Sequence, residues 1–408
     1  MKTHCRVCGS SNLFTFLDLG FTPPADQFLR ENQLTEPETS YPLKVKMCRV
    51  CSLAQLSHVV PCEILYRRDY PYESSITKSG QTHWDEFAKT VCCTYKITGN
   101  DLVVDIGSNV GVLLSSFKSN GASVLGVDPA SNIVRIAEKR GIETIDDFLD
   151  STVAKKIVSL KGRAKVITAT NVFAHVDDLH SFIKAVKLLL DDEGIFVVEA
   201  PYFGNLLKFL EYDTIYHEHL SYLLLKPIMH LAEMHDMEVI DVQERDIHGG
   251  SFRVFIARKG KLQIQQNVEK FVQAEILANY MDEENLRSFA KDVSTNRENL
   301  QNLILDLRLQ GRRIAAVSAP AKGMTLLNYC RLGPETLSFV TEKSRLKIGR
   351  YCPGVHIPVV DDSQLVKENI EFALLLAWNF SHEIISNLSE FKNQGGKFII
   401  PIPTPKIV

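Results

Sequence analysis

The stretch DLVVDIGSNVGVLL, residues 101–114, reads as an apolar strand, a turn of small residues and the start of a helix. Three further runs of strand length follow it: SVLGVDP, AKVITATNV and GIFVVEAPY, with amphipathic segments between them. Nearly continuous apolar strands alternating with helices signal a parallel sheet covered on both faces. MEVIDVQERDI and SFRVFIARKG come next, split by a Gly-Gly break, and are expected to close that sheet as an antiparallel pair ending near residue 259. Residues 261–311 mix charged and apolar residues without proline and predict helices. RRIAAVSAP, LSFVTEK, EFALLLAWN and GKFIIPIP then supply strands for a second, smaller α/β unit over about 312–408. Residues 1–65 predict short strands and turns.

At 408 residues the chain exceeds what one core normally serves, so two or three domains are expected. Hydrophobic content of 45% and charged content of 23% are ordinary for a globular enzyme. A net charge of −3 gives no general pull toward nucleic acid or an anionic membrane, so neither is an expected partner. MKTHCRVCGS at the start holds no apolar signal core, and FALLLAWNF (372–380) is too short to span a bilayer. The expectation is a cytoplasmic enzyme, monomeric or a small homo-oligomer.

Nine cysteines in such a chain argue against a disulfide framework. Cys5-Arg6-Val7-Cys8 and Cys48-Arg49-Val50-Cys51 are two CxxC turns. Facing each other, they offer four thiolates in the tetrahedral set that zinc prefers, a closed and therefore structural site. Redox thiols or unbound thiols are the alternatives. Cys62, Cys92, Cys93, Cys330 and Cys352 lack such a pattern and read as core or surface thiols.

In the glycine turn, a dinucleotide fingerprint would need glycine at the first, third and sixth positions. Those positions hold Gly107, Asn109 and Val112, which disfavours a nicotinamide enzyme. S-adenosylmethionine-dependent methyltransferases instead carry an acidic residue two before the first glycine and a glycine four after it; Asp105 and Gly111 fit. Asp128 ends the second strand, where a carboxylate can take two ribose hydroxyls. Asp147 and Phe148, after the third, are placed to flank the adenine. A strand-ending carboxylate that merely caps a helix is the plain alternative.

IYHEHLSY, residues 215–222, looks at first like a metal site. The metalloprotease pattern needs histidines four apart on one helix face, but His217 and His219 are two apart. Acid–base chemistry suits the cluster better, with an inert histidine pair as the other reading. In a helical turn Tyr216 and His219 would project together. A neutral histidine is a natural base near pH 7, and a tyrosine hydroxyl can bond a neighbouring oxyanion. Glu218 can orient an imidazole or hold a substrate hydroxyl or amine. This set suits making an enolate beside a ketone.

These residues together resemble the zinc-containing sugar C-methyltransferases, which use S-adenosylmethionine to methylate C3 of nucleotide-linked 4-keto deoxysugars. The resemblance covers essentially the whole chain. It rests on both CxxC turns, DYPYESS (69–75), DIGSNVG (105–111), TNVFAHV (170–176), IYHEHLSY, HGGSFR (248–253), APAKG (319–323) and PGVHIP (353–358). It implies an α/β protein with a zinc-ribbon-like N-terminal domain over residues 1–75. A central class I, Rossmann-like methyltransferase domain would follow over 76–260. Residues 261–408 would hold the helical connector and a C-terminal Rossmann-like domain that binds the nucleotide sugar. By the resemblance the general base falls on His219, flanked by Tyr216 and Glu218, with Tyr70 and His175 as further catalytic residues. Asn171 joins the cofactor set, and Tyr72, Ser74, His248 and Lys322 fall near the substrate.

Departures bear on the ligand. Asp105 stands where glutamate is commoner, and Val110 where aspartate is usual. Ala316-Val317-Ser318 replaces the family's Gly-Tyr-Gly where the nucleotide is expected, which leaves the nucleotide open. Lys322, Lys343, Arg345 and Lys347 remain candidates for a diphosphate, with a solvated charged face as the alternative for the last three. Methylation at oxygen or nitrogen and an inactive zinc-ribbon binding module are the competing functions.

Overall fold

In the computed structural model, which describes residues 2–66, 78–247 and 249–408, three sheets carry the architecture. The central sheet has seven strands, in the order Met237–Arg245, Ser251–Arg258, Leu190–Pro201, Ala164–Thr170, Leu102–Ile106, Ser123–Asp128 and Thr144–Asp146. The last five run parallel, and Ser251–Arg258 joins antiparallel to Leu190–Pro201, as the apolar runs foretold. Leu102–Ile106 is buried along its whole length, because helices cover both faces of a parallel sheet. Strand order reverses beside it, between Ala164–Thr170 and Ser123–Asp128, and the crevice at such a switch point is where open α/β sheets take ligands. The helix Lys78–Tyr95 lies on Val112–Ser119, with Phe87 edge-on to Phe117 at 6.1 Å.

The N-terminal sheet contains Leu13–Thr22, Tyr41–Cys48 and Ala54–Leu56. Its fourth strand, Ser221–Tyr222, comes from far along the chain and pairs antiparallel with Ala54–Leu56. IYHEHLSY thus ends as part of the zinc-bearing sheet.

The C-terminal sheet has five parallel strands, Ile314–Val317, Val340–Thr341, Val359–Val360, Phe372–Leu375 and Lys397–Ile400, plus antiparallel Lys406–Ile407. The helices Gln266–Leu277 and Glu283–Leu309 lead into it. The second buries Leu286, Phe289, Val293, Leu300, Ile304 and Leu307 at three- and four-residue spacing, the stripe of an amphipathic helix. Asn296 shares that stripe; its amide donates to the carbonyls of Pro401 and Pro403, and Tyr212 donates its hydroxyl to the Asn296 oxygen. Among the described residues no helix is long and apolar enough to cross a membrane.

Candidate active site and zinc centre

The two CxxC turns fold alike. Gly9 N–H donates to Cys5 O and Ser52 N–H to Cys48 O, each at 3.0 Å. Gly9 and Ser52 both adopt left-handed backbone, at φ 69° and 68°. The sulfurs of Cys5 and Cys51 are 3.3 Å apart, those of Cys8 and Cys48 3.5 Å, and all four lie within 4.8 Å. Zinc–sulfur bonds of about 2.3 Å in a tetrahedron require sulfurs about 3.8 Å apart, so the set fits zinc. Four protein ligands leave no open position, which makes the site structural.

The glycine loop leaves the buried end of Leu102–Ile106. Gly107, Asn109 and Gly111 take φ of 67°, 50° and 78°, and Gly111 directly precedes the helix Val112–Ser119. A Cβ on Gly107 would run into Val172, and one on Gly111 would meet Ile142 at 2.9 Å. Asp105 lies beneath the loop, where the Thr168 hydroxyl donates to it at 2.6 Å. Burial pushes its carboxyl up to about 7. Asp128 accepts N–H bonds from Asn109 and Ala130, both at 2.9 Å, so it ties the loop to the second strand while ending at the crevice. Asp147 accepts the Phe148 N–H at 2.9 Å beyond the third strand. Asn171, at φ 57°, donates its N–H to Glu199 O at 2.7 Å after the fourth. All of these residues stand at or just beyond the C-terminal ends of parallel strands, a cradle suited to S-adenosylmethionine.

Residues 216–219 form a turn closed by His219 N–H on Tyr216 O at 2.9 Å. This replaces the expected helical turn, yet the two rings still meet, with centroids 4.0 Å apart. His219 Nδ1 donates to Thr214 O at 2.8 Å, so the lone pair belongs to Nε2. His175 lies against His219, with centroids 5.1 Å apart. Burial, then the neighbouring His219, holds His175 well below the ordinary histidine range, and its Nε2 finds no hydrogen-bond partner among the described residues. Tyr66 stacks on His175 at 5.9 Å and 7°. Burial, then the Glu218 charge, holds the Tyr66 phenol well above its usual value, so Glu218 belongs to the same cluster. His217 faces the other way, its Nε2 3.3 Å from Tyr41 O and its ring edge-on to Tyr41, so the two histidines share no metal.

The structure therefore brings Tyr216, Glu218, His219 and His175 together and adds Tyr66, which no motif marked. Tyr70, Tyr72, Ser74 and His248 lie outside the described residues. A second group that sequence reading missed stands at the end of the fifth strand. Glu199, fully buried, receives Arg253 Nε at 2.7 Å and Nη2 at 2.6 Å, and His83 Nε2 is 2.6 Å from its other oxygen. Burial alone would raise the Glu199 carboxyl, but His83 and Arg253 hold it below its usual value. Arg253 also covers the Phe87 ring at 3.5 Å.

Lys322 is in the first turn of the helix Ala321–Tyr329, which packs on Tyr212–Thr214 just before the histidines. Thr325 Oγ1 donates to Ile215 O at 3.0 Å. Lys322 Nζ bonds Asn379 Oδ1 and lies over Trp378, whose Nε1 donates to Asp213 at 2.7 Å. Burial lowers the Lys322 ammonium against the pull of Asp213 and Glu211, and burial beside Asp213 raises Glu211. Lys347 is taken up by Ala319 O at 2.8 Å and Asp26 at 3.4 Å.

Three family descriptions match in tandem: a zinc binding domain over residues 5–66, a methyltransferase domain over 94–242 and a C-methyltransferase C-terminal domain over 246–403. The C-methyltransferase NovU of Streptomyces niveus is 36% identical over 99% of this chain and 96% of its own. A ubiquinone biosynthesis O-methyltransferase of Pasteurella multocida is 31% identical over 23% of this chain and 43% of its own. A solved magnesium protoporphyrin IX methyltransferase of Synechocystis, 16% identical, is similar over 47% of this chain and 92% of its own at a TM-score of 0.36.

Proposed function

As the chain belongs to the C-methyltransferase family of NovU, we propose that it methylates C3 of a nucleotide-linked 4-keto deoxysugar through an enolate, with His219 as the base. The observation that carries this reading is the tautomer of His219. Thr214 O takes the Nδ1 proton, which leaves Nε2 as the basic nitrogen inside a cluster of Tyr66, His175, Tyr216 and Glu218. A ketone at C4 acidifies the C3 hydrogen. His219 Nε2 takes that proton, and the C–H electrons move into the C3–C4 bond and onto the C4 oxygen. Tyr216, with Tyr70 or His175, bonds the enolate oxygen.

S-adenosylmethionine, when bound, supplies an electrophilic methyl group; C3 takes it and the sulfur keeps the S–CH₃ electrons. Gly107, Asn109, Gly111, Asp128, Asp147, Phe148 and Asn171 would hold it, with Asp105 bracing the loop from Thr168. The four thiolates would hold a structural zinc that takes no part in this chemistry. Tyr72, Ser74, His248 and Lys322 would line the sugar. Lys322, bonded to Asn379 with the Asp213 and Glu211 charges nearby, suits a sugar hydroxyl better than a diphosphate.

The test is incubation of the protein with a thymidine-diphosphate 4-keto deoxysugar in heavy water, read by mass spectrometry. One deuterium at C3 without cofactor, and methylation at C3 with it, support the reading. A methyl group found on oxygen or nitrogen, with no exchange at carbon, would overturn the enolate.

A further inference from the structure

We propose that Arg6, inside the first zinc knuckle, is a positioning residue that sets His175 and His219 against each other; its meaning for catalysis rests on the acid–base reading above. Arg6 is 6% exposed despite its charge. Its Nε donates to Asp177 Oδ1 at 3.1 Å and its Nη1 to Leu56 O at 3.0 Å. Its backbone N–H donates to Gln55 Oε1 at 2.9 Å. Asp177 lies two residues beyond His175, which ends the short 3-10 turn Phe173–His175. Leu56 N–H donates to Leu220 O at 2.9 Å, immediately after His219, and Gln55 pairs with Ser221. One planar guanidinium is therefore bonded directly to the segment that carries His175 and, through the Leu56 backbone, linked to the segment that carries His219.

The fork geometry explains the residue type. Arginine presents several donors at fixed angles, whereas a lysine ammonium is a single flexible point. A second tie runs the same way, since His180 Nε2 lies 2.8 Å from Val7 O in the knuckle. The knuckle is rigid when four thiolates share one metal, and Arg6 delivers that rigidity to the site across the domain junction. The zinc domain then contributes to turnover without touching the substrate. A plain domain fastener would make the same bonds, so the test must separate the two roles.

Full-length Asp177→Ala and Arg6→Lys are compared with Lys2→Ala, which removes only the exposed 2.8 Å partner of Asp177. Zinc content, S-adenosylmethionine affinity, kcat and KM, and ¹⁵N-histidine NMR spectra are measured; His175→Asn and His219→Asn assign the two rings. The expected result is a kcat lower by roughly 10- to 100-fold, the scale of a group misplaced by about 1 Å, with KM, zinc and cofactor binding near wild type. The His175 and His219 signals shift in Asp177→Ala and Arg6→Lys and stay put in Lys2→Ala. Unchanged histidine signals overturn the proposal. So does a rate that falls only in step with zinc or cofactor binding, which marks a fastener. If the wild-type protein neither exchanges nor methylates any 4-keto sugar, the acid–base reading falls, and the histidine spectra still decide whether Arg6 sets the rings.

Discussion

Thr214 gives His219 its chemical sense: a carbonyl on Nδ1 leaves the opposite nitrogen of the neutral ring as the one able to accept a proton. Asparagine at 219 keeps polarity and removes basicity, so His219→Asn is expected to lower methyl transfer by about 10²-fold or more. S-adenosylmethionine affinity by calorimetry should stay near wild type, because the glycine loop is untouched; a variant with full activity sinks the assignment. His217, two residues earlier, acts on stability. Burial, against the Tyr41 carbonyl, lowers it to about 4 from 6.5. A folded pKa below the unfolded one means that the unfolded chain binds the proton first. Stability from this group is thus whole above pH 6.5 and is lost as pH falls toward 4. At about 1.4 kcal/mol per unit, the loss approaches ~3 kcal/mol. Melting temperatures at pH 7.5 and 5 should show a smaller acid loss in His217→Gln, with His175, lowered in the same direction, accounting for part of the remainder.

At the scale of elements, the ion pair of Glu199 and Arg253 joins the fifth strand to its antiparallel neighbour, and His83 ties the helix Lys78–Tyr95 to the same carboxylate. Both partners are almost fully buried, so removing one strands a charge. Arg253→Met should cost about 3–5 kcal/mol by urea unfolding, and a loss under 1 kcal/mol would show that water reaches Glu199. The strands themselves were legible as apolar runs, whereas this pair was not. It depends on the register that sets Arg253 opposite Glu199, and 53 residues separate those positions in the chain. A one-residue slip would put the two side chains on opposite faces.

Across the whole molecule, residues 211–222 tie the N-terminal sheet to the long helix and the C-terminal unit. Tyr212 reaches the helix Glu283–Leu309, Asp213 reaches Trp378, Ile215 takes a bond from Thr325, and Ser221–Tyr222 completes the zinc-bearing sheet. Glu38 adds a further bridge, receiving Gly354 N–H and His356 Nε2. Zinc removal should consequently do more than loosen the N-terminus. A chelator strong enough to strip the metal is expected to abolish methyl transfer and lower the melting temperature, and zinc returned under reducing conditions should restore both. Activity that survives complete metal loss, verified by elemental analysis, would separate the zinc centre from the site.

Local order decided much of this protein. Apolar runs of strand length, the Asp105–Gly111 turn and two CxxC pairs are short-range patterns, and they sufficed for the parallel sheet, the strand-to-helix glycine turn and the four-thiol centre. The tertiary structure alone decided that Tyr66 stacks on His175, that His217 and His219 face opposite ways, that Lys322 meets Asn379 and Trp378, and that residues 221–222 pair with a strand more than 150 positions earlier. Periodicity and motif chemistry extend over a few residues, whereas these contacts are set by strand register and by the packing of distant elements around one segment.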